Sequence, residues 1–387
     1  MSVKKIVSTV HLWLGITTGP LVILLALTGC IYAFQEEIQN ATQPYKYVDK
    51  QSQPFLKPSQ LASIAKKSLP GKEAHSVTYK KGEHAAIVSF HNRNPQYYYK
   101  VFLNPYNGEV LKVKDMESDF FRFVLMGHFY FWLPPKVGQP IVAITTLLFI
   151  VAIISGLILW WPKNKNGTKQ RFSIRWNSKW KRRNYDLHNV LGFYILVFGL
   201  ILAMTGLVWG FKWFANSVYY TASGGGQLIS YYEPSSDTTK QVSPNTPSVD
   251  LVWNKMKKEY PDAGSIEIHY PEDAHSAIAA NANPESGTYW RTDFRYFDQY
   301  TLKEISVNHL YGKFNNASGA DKLMRMNYDL HIGAILGLPG KILVFFASLV
   351  IGSLPITGFL IWWGRKKKKN ISKIKLNKEK EYAIGVQ

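Results

Sequence analysis

Four of the ten histidines stand at the edges of long apolar stretches: His11, His128, His188 and His331. An imidazole is the commonest protein ligand for a transition metal. Two imidazoles from different helices, approaching one iron from opposite sides, are what a six-coordinate haem in a helical bundle requires. A lone histidine at a helix end is as readily an interfacial side chain reaching water. Four in a paired arrangement point to cofactor ligation, with His11 and His188 expected toward one membrane face and His128 and His331 toward the other. The single cysteine, Cys30, gives no disulfide, no Cys-x-x-Cys pair and no Cys-x-x-Cys-His site, so any haem must be held without a covalent thioether link.

A Ser or Thr followed by Gly recurs near the far end of each stretch: Thr28-Gly29, Ser155-Gly156, Thr205-Gly206 and Thr357-Gly358. From His11 to Gly29 a helix rises about 27 Å, close to the thickness of a bilayer core. Gly156 and Gly358 are therefore expected at the level of His11 and His188, and Gly29 and Gly206 at the level of His128 and His331. Such small residues give a flat macrocycle clearance, or let helices pack closely. The expectation is two haem b groups, one near each face. His309 is read as a further ligand or as a group near the substrate. Arg182 and Arg325 precede His188 and His331 in a shared Arg-x-Asn-Tyr-Asp-Leu-His sequence. There they are placed to meet haem propionates or lipid headgroups, with Asp186 and Asp329 read as helix caps.

The elements that must position these residues are legible in the hydropathy. Apolar runs cover Leu12 to Phe34, Val137 to Trp161, Val190 to Phe211 and Ile342 to Trp363, each long enough to cross a bilayer. The formal charge of +20 is carried almost wholly by residues 1–10, 162–187 and 364–387. Lys and Arg beside spans mark the cytoplasmic side and read as contacts to lipid, not to nucleic acid. Both termini and the middle loop are thus expected inside, with four spans between them.

The expected fold is an α-helical membrane protein: a four-helix transmembrane bundle built as a tandem duplication, with two small α+β modules outside. Its boundaries are 1–36 for the N-terminus and first span, 37–127 for the first module and 128–162 for the second span. The basic loop is 163–187, the third span 188–212, the second module 213–325, the fourth span 326–363 and the basic tail 364–387. Duplication is read from His11, Leu14, Gly15, Thr28, Gly29 and Phe34, which match His188, Leu191, Gly192, Thr205, Gly206 and Phe211 at identical spacing. In the modules, helices are expected over Pro58 to Leu69 and Val249 to Tyr260. Strands are expected over Ser76 to Tyr79, Ala85 to Phe90, Tyr97 to Leu103, Ser265 to Tyr270, Ala274 to Ala280 and Tyr289 to Phe297. The remaining histidines, His75, His84, His91, His269 and His275, are read as surface or turn residues.

His11-Leu12-Trp13-Leu14-Gly15, Asn104-Pro105-Tyr106-Asn107-Gly108-Glu109-Val110, Asp329-Leu330-His331 and Gly337-Leu338-Pro339-Gly340 together resemble the PepSY-associated transmembrane family. Within that family the chain is similar to bacterial siderophore reductases. The resemblance implies an inner-membrane protein with haem b, periplasmic PepSY modules and reduction of ferric siderophores to release Fe(II). No Gly-x-Gly-x-x-Gly motif follows a strand. Electrons are therefore expected from a cytoplasmic reductase docking on the basic loops or from membrane quinol. An iron or haem transporter and a non-enzymatic PepSY-type membrane sensor are the other classes open to this sequence.

Overall fold

The computed structural model describes residues 2–162, 171–240 and 246–384, with side-chain surroundings as far as residue 366. Part of the basic loop, 163–170, and the side chains of most of the basic tail lie outside the described residues. The chain divides into two compact units. One comprises Met1–Tyr32, Leu125–Phe211 and Ile342–Gln387, and the other Ala33–Val124 and Lys212–Lys341.

The first unit holds the apolar helices. Helix α1 (Val3–Ala33), α5 (Pro135–Trp160) and α11 (Gly337–Ile384) each contain a segment long and apolar enough to cross a membrane. The expected third span is not one straight helix. It is α6 (Trp180–Tyr194) and α7 (Leu196–Gly210), bent by 60° at Ile195. Aromatic packing accompanies the bend: Phe193 stacks on Trp160 at 3.8 Å, with Phe172 edge-on to both. Three helices therefore pass as unbroken spans among the described residues, and a fourth only if the bent pair is counted as one. Small residues let the helices approach. A Cβ added at Gly19 would lie 2.9 Å from Pro355, at Gly352 3.1 Å from Ala26, and at Gly210 2.8 Å from Ala143. Along α5, Val137, Ile144, Val151, Ile154 and Ile158 remain exposed, an apolar stripe suited to lipid. Trp161 and Trp363 are exposed as an interfacial belt requires, whereas Trp160 is buried.

The histidine-bearing starts of the spans also differ from expectation. His11 lies eight residues beyond Val3 and His188 eight beyond Trp180, two turns inside their helices. His128 sits on a separate helix, α4 (Phe120–Tyr130), and His331 in the last turn of α10 (Gly319–Ile332). After α4 the chain reverses through Phe131 and Trp132, both at positive φ, which folds the Trp132 ring against Gly127. Helix α10 ends at Gly333, at φ +79°, where a Cβ would collide with the carbonyl of Gly340; only glycine fits that turn.

The second unit is one antiparallel sheet of eight strands in the order β4-β3-β2-β1-β5-β6-β7-β8. Strands β1 (Ser76–Lys80), β2 (Ala86–Arg93), β3 (Gln96–Leu103) and β4 (Val110–Asp115) come from the first segment. From the second come β5 (Ser265–His269), β6 (Ile278–Asn283), β7 (Asp293–Phe297) and β8 (Glu304–Ile305). The two segments join where β1 pairs with β5, Thr78 opposite Glu267. Helices α3 (Pro58–Ser68) and α9 (Ser248–Glu259) pack on one face over a shared core that includes Leu61, Val77, Phe90, Trp253, Ile268 and Phe297. Asp250 of α9 accepts hydrogen bonds from the backbone N–H and hydroxyl of Ser59, capping α3 from the other segment. The opposite face is polar and carries Ser76, Thr78, Ser89, His91, Glu267 and His269.

Two expected strands shift. Ala274–Ser276 turn about the Asp273 carboxylate, which accepts from the N–H groups of His275 and Ser276. Tyr289 and Trp290 likewise turn outward, their N–H groups bound by Asp329.

Arg295 of β7 is buried and ion-paired with Glu304 and Glu259, and Lys313 adds a second cation to Glu304. Burial alone would raise the Glu304 pKa, but the hydrogen bonds from Arg295 and Lys313 prevail and hold it at about 2. That contribution to stability is full above the ordinary carboxylate range and is lost as pH falls toward about 2. Arg295→Met leaves two carboxylates without their buried partner, and should destabilise this unit by about 3 kcal/mol in denaturant unfolding at pH 7. A change below about 0.5 kcal/mol would refute the assignment.

Candidate metal and cofactor site

Within the first unit three imidazoles share one local construction. His11 Nδ1 lies 2.9 Å from Ser155 Oγ and 3.1 Å from the carbonyl of Ala152. His128 Nδ1 lies 3.0 Å from Thr28 Oγ1 and 3.1 Å from the carbonyl of Leu25. His188 Nδ1 lies 2.9 Å from Thr357 Oγ1. Each hydroxyl donates its own proton to a carbonyl one turn back in its helix: Ser155 to Ala152, Thr28 to Leu24 and Thr357 to Leu354. Hydroxyl and carbonyl oxygens can then only accept from the ring. Nδ1 must carry the proton in all three, which leaves Nε2 with the lone pair.

The glycine after each hydroxyl makes this possible. A Cβ at Gly156 would stand 3.1 Å from His11 Cε1, at Gly29 3.3 Å from His128 Cε1, and at Gly358 3.1 Å from His188 Cε1. The clearance expected for a macrocycle is, at these three glycines, occupied by the edge of an imidazole. The sequence displays the Ser/Thr-Gly pairs, but the part played by the hydroxyls emerges only from the structure. Thr205 and Gly206 repeat the dipeptide in α7, with Thr205 Oγ1 donating to the carbonyl of Ile201.

His11 and His188 are brought together, their ring centroids 6.3 Å apart and their planes at 74°. Two imidazoles binding one metal from opposite sides, at about 2.0–2.1 Å per bond with each ring centre about 1.2 Å behind its nitrogen, have centroids about 6.5 Å apart. The observed spacing suits a shared metal and exceeds that of close ring stacking. His331 belongs to the second unit, where it closes α10.

The other expected site residues have local employment. Arg182 pairs with Asp186 at 2.9 Å and lies over the Tyr185 ring, so its guanidinium is engaged within α6. Asp186 is no helix cap: α6 begins at Trp180, and the buried carboxylate serves Arg182 and the backbone of Arg175. Asp329 is no cap either, since Ser318 with Asp321 caps α10. Arg325 is buried between the rings of Phe294 and Phe314 and donates to the carbonyls of Thr292 and Gly312. Burial lowers its pKa. A guanidinium held by two carbonyls in the second unit packs that unit.

His309 is buried among Tyr231, Tyr232, Tyr296 and Tyr311, with ring centroids between 4.8 and 6.1 Å away. Its Nδ1 accepts from the N–H of Tyr311, and burial lowers its pKa. With Arg295, Glu304, Lys313 and Asn308 it lines a cavity of about 240 Å³ in the second unit.

The sequence profile of the PepSY-associated TM region matches residues 8–365. No curated protein matches the chain. The profile and the apolar helices together identify an integral membrane protein.

Replacing Gly358 by Leu drives a side chain into the His188 ring and should cost on the order of 1–3 kcal/mol, read as a lowered unfolding temperature in detergent. Gly15 has no atom within 4 Å of an added Cβ, so Gly15→Ala should be neutral or stabilising. Equal effects of the two substitutions would contradict the packing role of Gly358.

Proposed function

From the premise that this chain belongs to the PepSY-associated TM family, we propose that it is a dihaem b membrane protein that passes electrons outward to ferric siderophores and releases Fe(II). The observation that carries the reading is the His11–His188 pair: two half-buried imidazoles with both Nδ1 atoms committed, both Nε2 atoms left to donate, and centroids 6.3 Å apart. His11 and His188 would hold one haem b, and His128 would be a ligand of the other. Bound haem supplies one-electron Fe(III)/Fe(II) chemistry that no side chain of this protein offers.

The protein's own groups do the rest. Ser155, Thr357 and Thr28 fix ring orientation and tautomer, and a hydrogen bond at Nδ1 makes Nε2 a stronger donor. Gly156, Gly358 and Gly29 let each ring sit against the neighbouring helix. The apolar bundle excludes water, which keeps charged reductants from crossing and makes cofactors at two depths the route. The basic N-terminus, middle loop and tail orient the protein with those segments cytoplasmic in a bacterial inner membrane, so the eight-stranded sheet is periplasmic. Electrons enter from a reductase docking on the basic loops or from membrane quinol. Adding an electron to a ferric hydroxamate or catecholate converts hard Fe(III) to Fe(II), which those oxygen donors hold weakly. Tyr97, Tyr98, Tyr99, Tyr289 and Trp290 give the sheet unit aromatic surface for such a chelate, whereas Tyr296 and Phe297 are buried.

An absorption spectrum of the detergent-solubilised protein, before and after dithionite, should show b-type haem, and a ferric siderophore should reoxidise it. His188→Ala should remove about half of the haem per chain. Thr357→Val should keep both haems and raise one midpoint potential, because Nε2 then donates less strongly. A colourless protein, or haem untouched by His188→Ala, would end this reading.

A further inference from the structure

The polar face of the sheet gathers three histidines that lie far apart in the chain. His91 is on β2, His75 directly precedes β1, and His269 ends β5 opposite Ser76. The His75 and His269 rings are 5.2 Å apart, centroid to centroid, and those of His75 and His91 6.0 Å. Carboxylates flank them: Glu272 Oε1 is 3.6 Å from His75 Nδ1, and Glu267 Oε2 is 3.7 Å from His269 Nε2. Imidazoles at about 2.0–2.1 Å from one metal, with ring centres about 1.2 Å behind the nitrogen, stand about 5.2–5.4 Å apart at a tetrahedral angle and about 6.5 Å when opposite. Both observed separations fall in that range.

Imidazole with carboxylate is the donor set of borderline first-row divalent cations, Zn(II) and Fe(II) among them; the larger, harder Ca(II) prefers oxygen alone. We propose that this face binds a first-row divalent cation between His75, His269 and His91, with Glu267 and Glu272 supplying oxygen. Among the described residues no three donors already converge on one point. His269 Nε2 is turned to the Asn281 amide at 3.2 Å, and His91 is exposed, so the site closes by ring rotation as the ion arrives. Ser76 Oγ donates to Glu267 Oε1 at 2.8 Å and orients that carboxylate from the pairing strand. The natural ion rests on the reductase reading, in which Fe(II) is the product released on this side of the membrane; binding itself does not depend on it.

The test titrates the full chain in detergent with zinc sulfate by calorimetry. The wild type should bind zinc at a site that is lost in His75→Ala/His269→Ala and weakened at least about tenfold in His91→Ala and in Glu267→Gln. His188→Ala, which strikes the membrane pair, should leave this zinc binding intact, so loss of haem and loss of zinc report on separate proposals. The exposed-residue variant His91→Ala carries the test should the double variant not fold. Absence of zinc binding in the wild type, or binding equal in wild type and His91→Ala, would overturn the proposal.

Discussion

A polar ring buried among apolar helices must have its N–H satisfied, because no water is present to do it. His11, His128 and His188 meet that demand in one way: the Nδ1 proton goes to a serine or threonine hydroxyl on a neighbouring helix, beside a glycine that lets the ring come close. Much else in the unit follows. The hydroxyl must give its proton to its own helix, so the tautomer is set; the tautomer exposes Nε2 as the donor; and the glycine sets how near the two helices stand. Each His–Thr/Ser–Gly contact therefore packs two helices and fixes the orientation of the ring at once.

The sheet unit obeys a different constraint. Each segment supplies a helix and four strands, and either set alone would leave the edge of its first strand open to pairing with other chains. Pairing β1 with β5 closes both edges and lets α3 and α9 share one core, with Asp250 tying one helix to the start of the other. The same pairing brings His75 beside His269, residues that no local sequence pattern relates.

Much of this was legible in the sequence. Apolar length located α1, α5 and α11, and alternation located β1, β2, β3 and β5. The recurrence of Ser or Thr before Gly singled out the dipeptides at 28–29, 155–156 and 357–358, which the histidines meet. What escaped depends on tertiary contact. The 60° break at Ile195 has no proline at the break to announce it and coincides with Phe193 stacking on Trp160. Asp186 and Asp329 resemble caps because a capping residue and a buried carboxylate serving a distant backbone look identical in one dimension; the start of α6 at Trp180 and the Tyr289–Trp290 turn decide between them. Arg182 and Arg325 share a motif yet have different partners, since the motif fixes their place on a helix and not what faces them.

In the proposed function His11 and His188 would hold one iron from opposite sides with their ring planes nearly perpendicular, as the 74° between them suggests. Low-temperature electron paramagnetic resonance of the oxidised protein tests it most directly, because crossed imidazole planes leave the iron d orbitals nearly degenerate. The oxidised protein should give a strongly anisotropic low-spin ferric signal dominated by a low-field feature, and His188→Ala should remove the share of it that belongs to this haem, about half of the low-spin intensity. Low-spin intensity unchanged by that substitution, or a spectrum with high-spin haem alone, would contradict it.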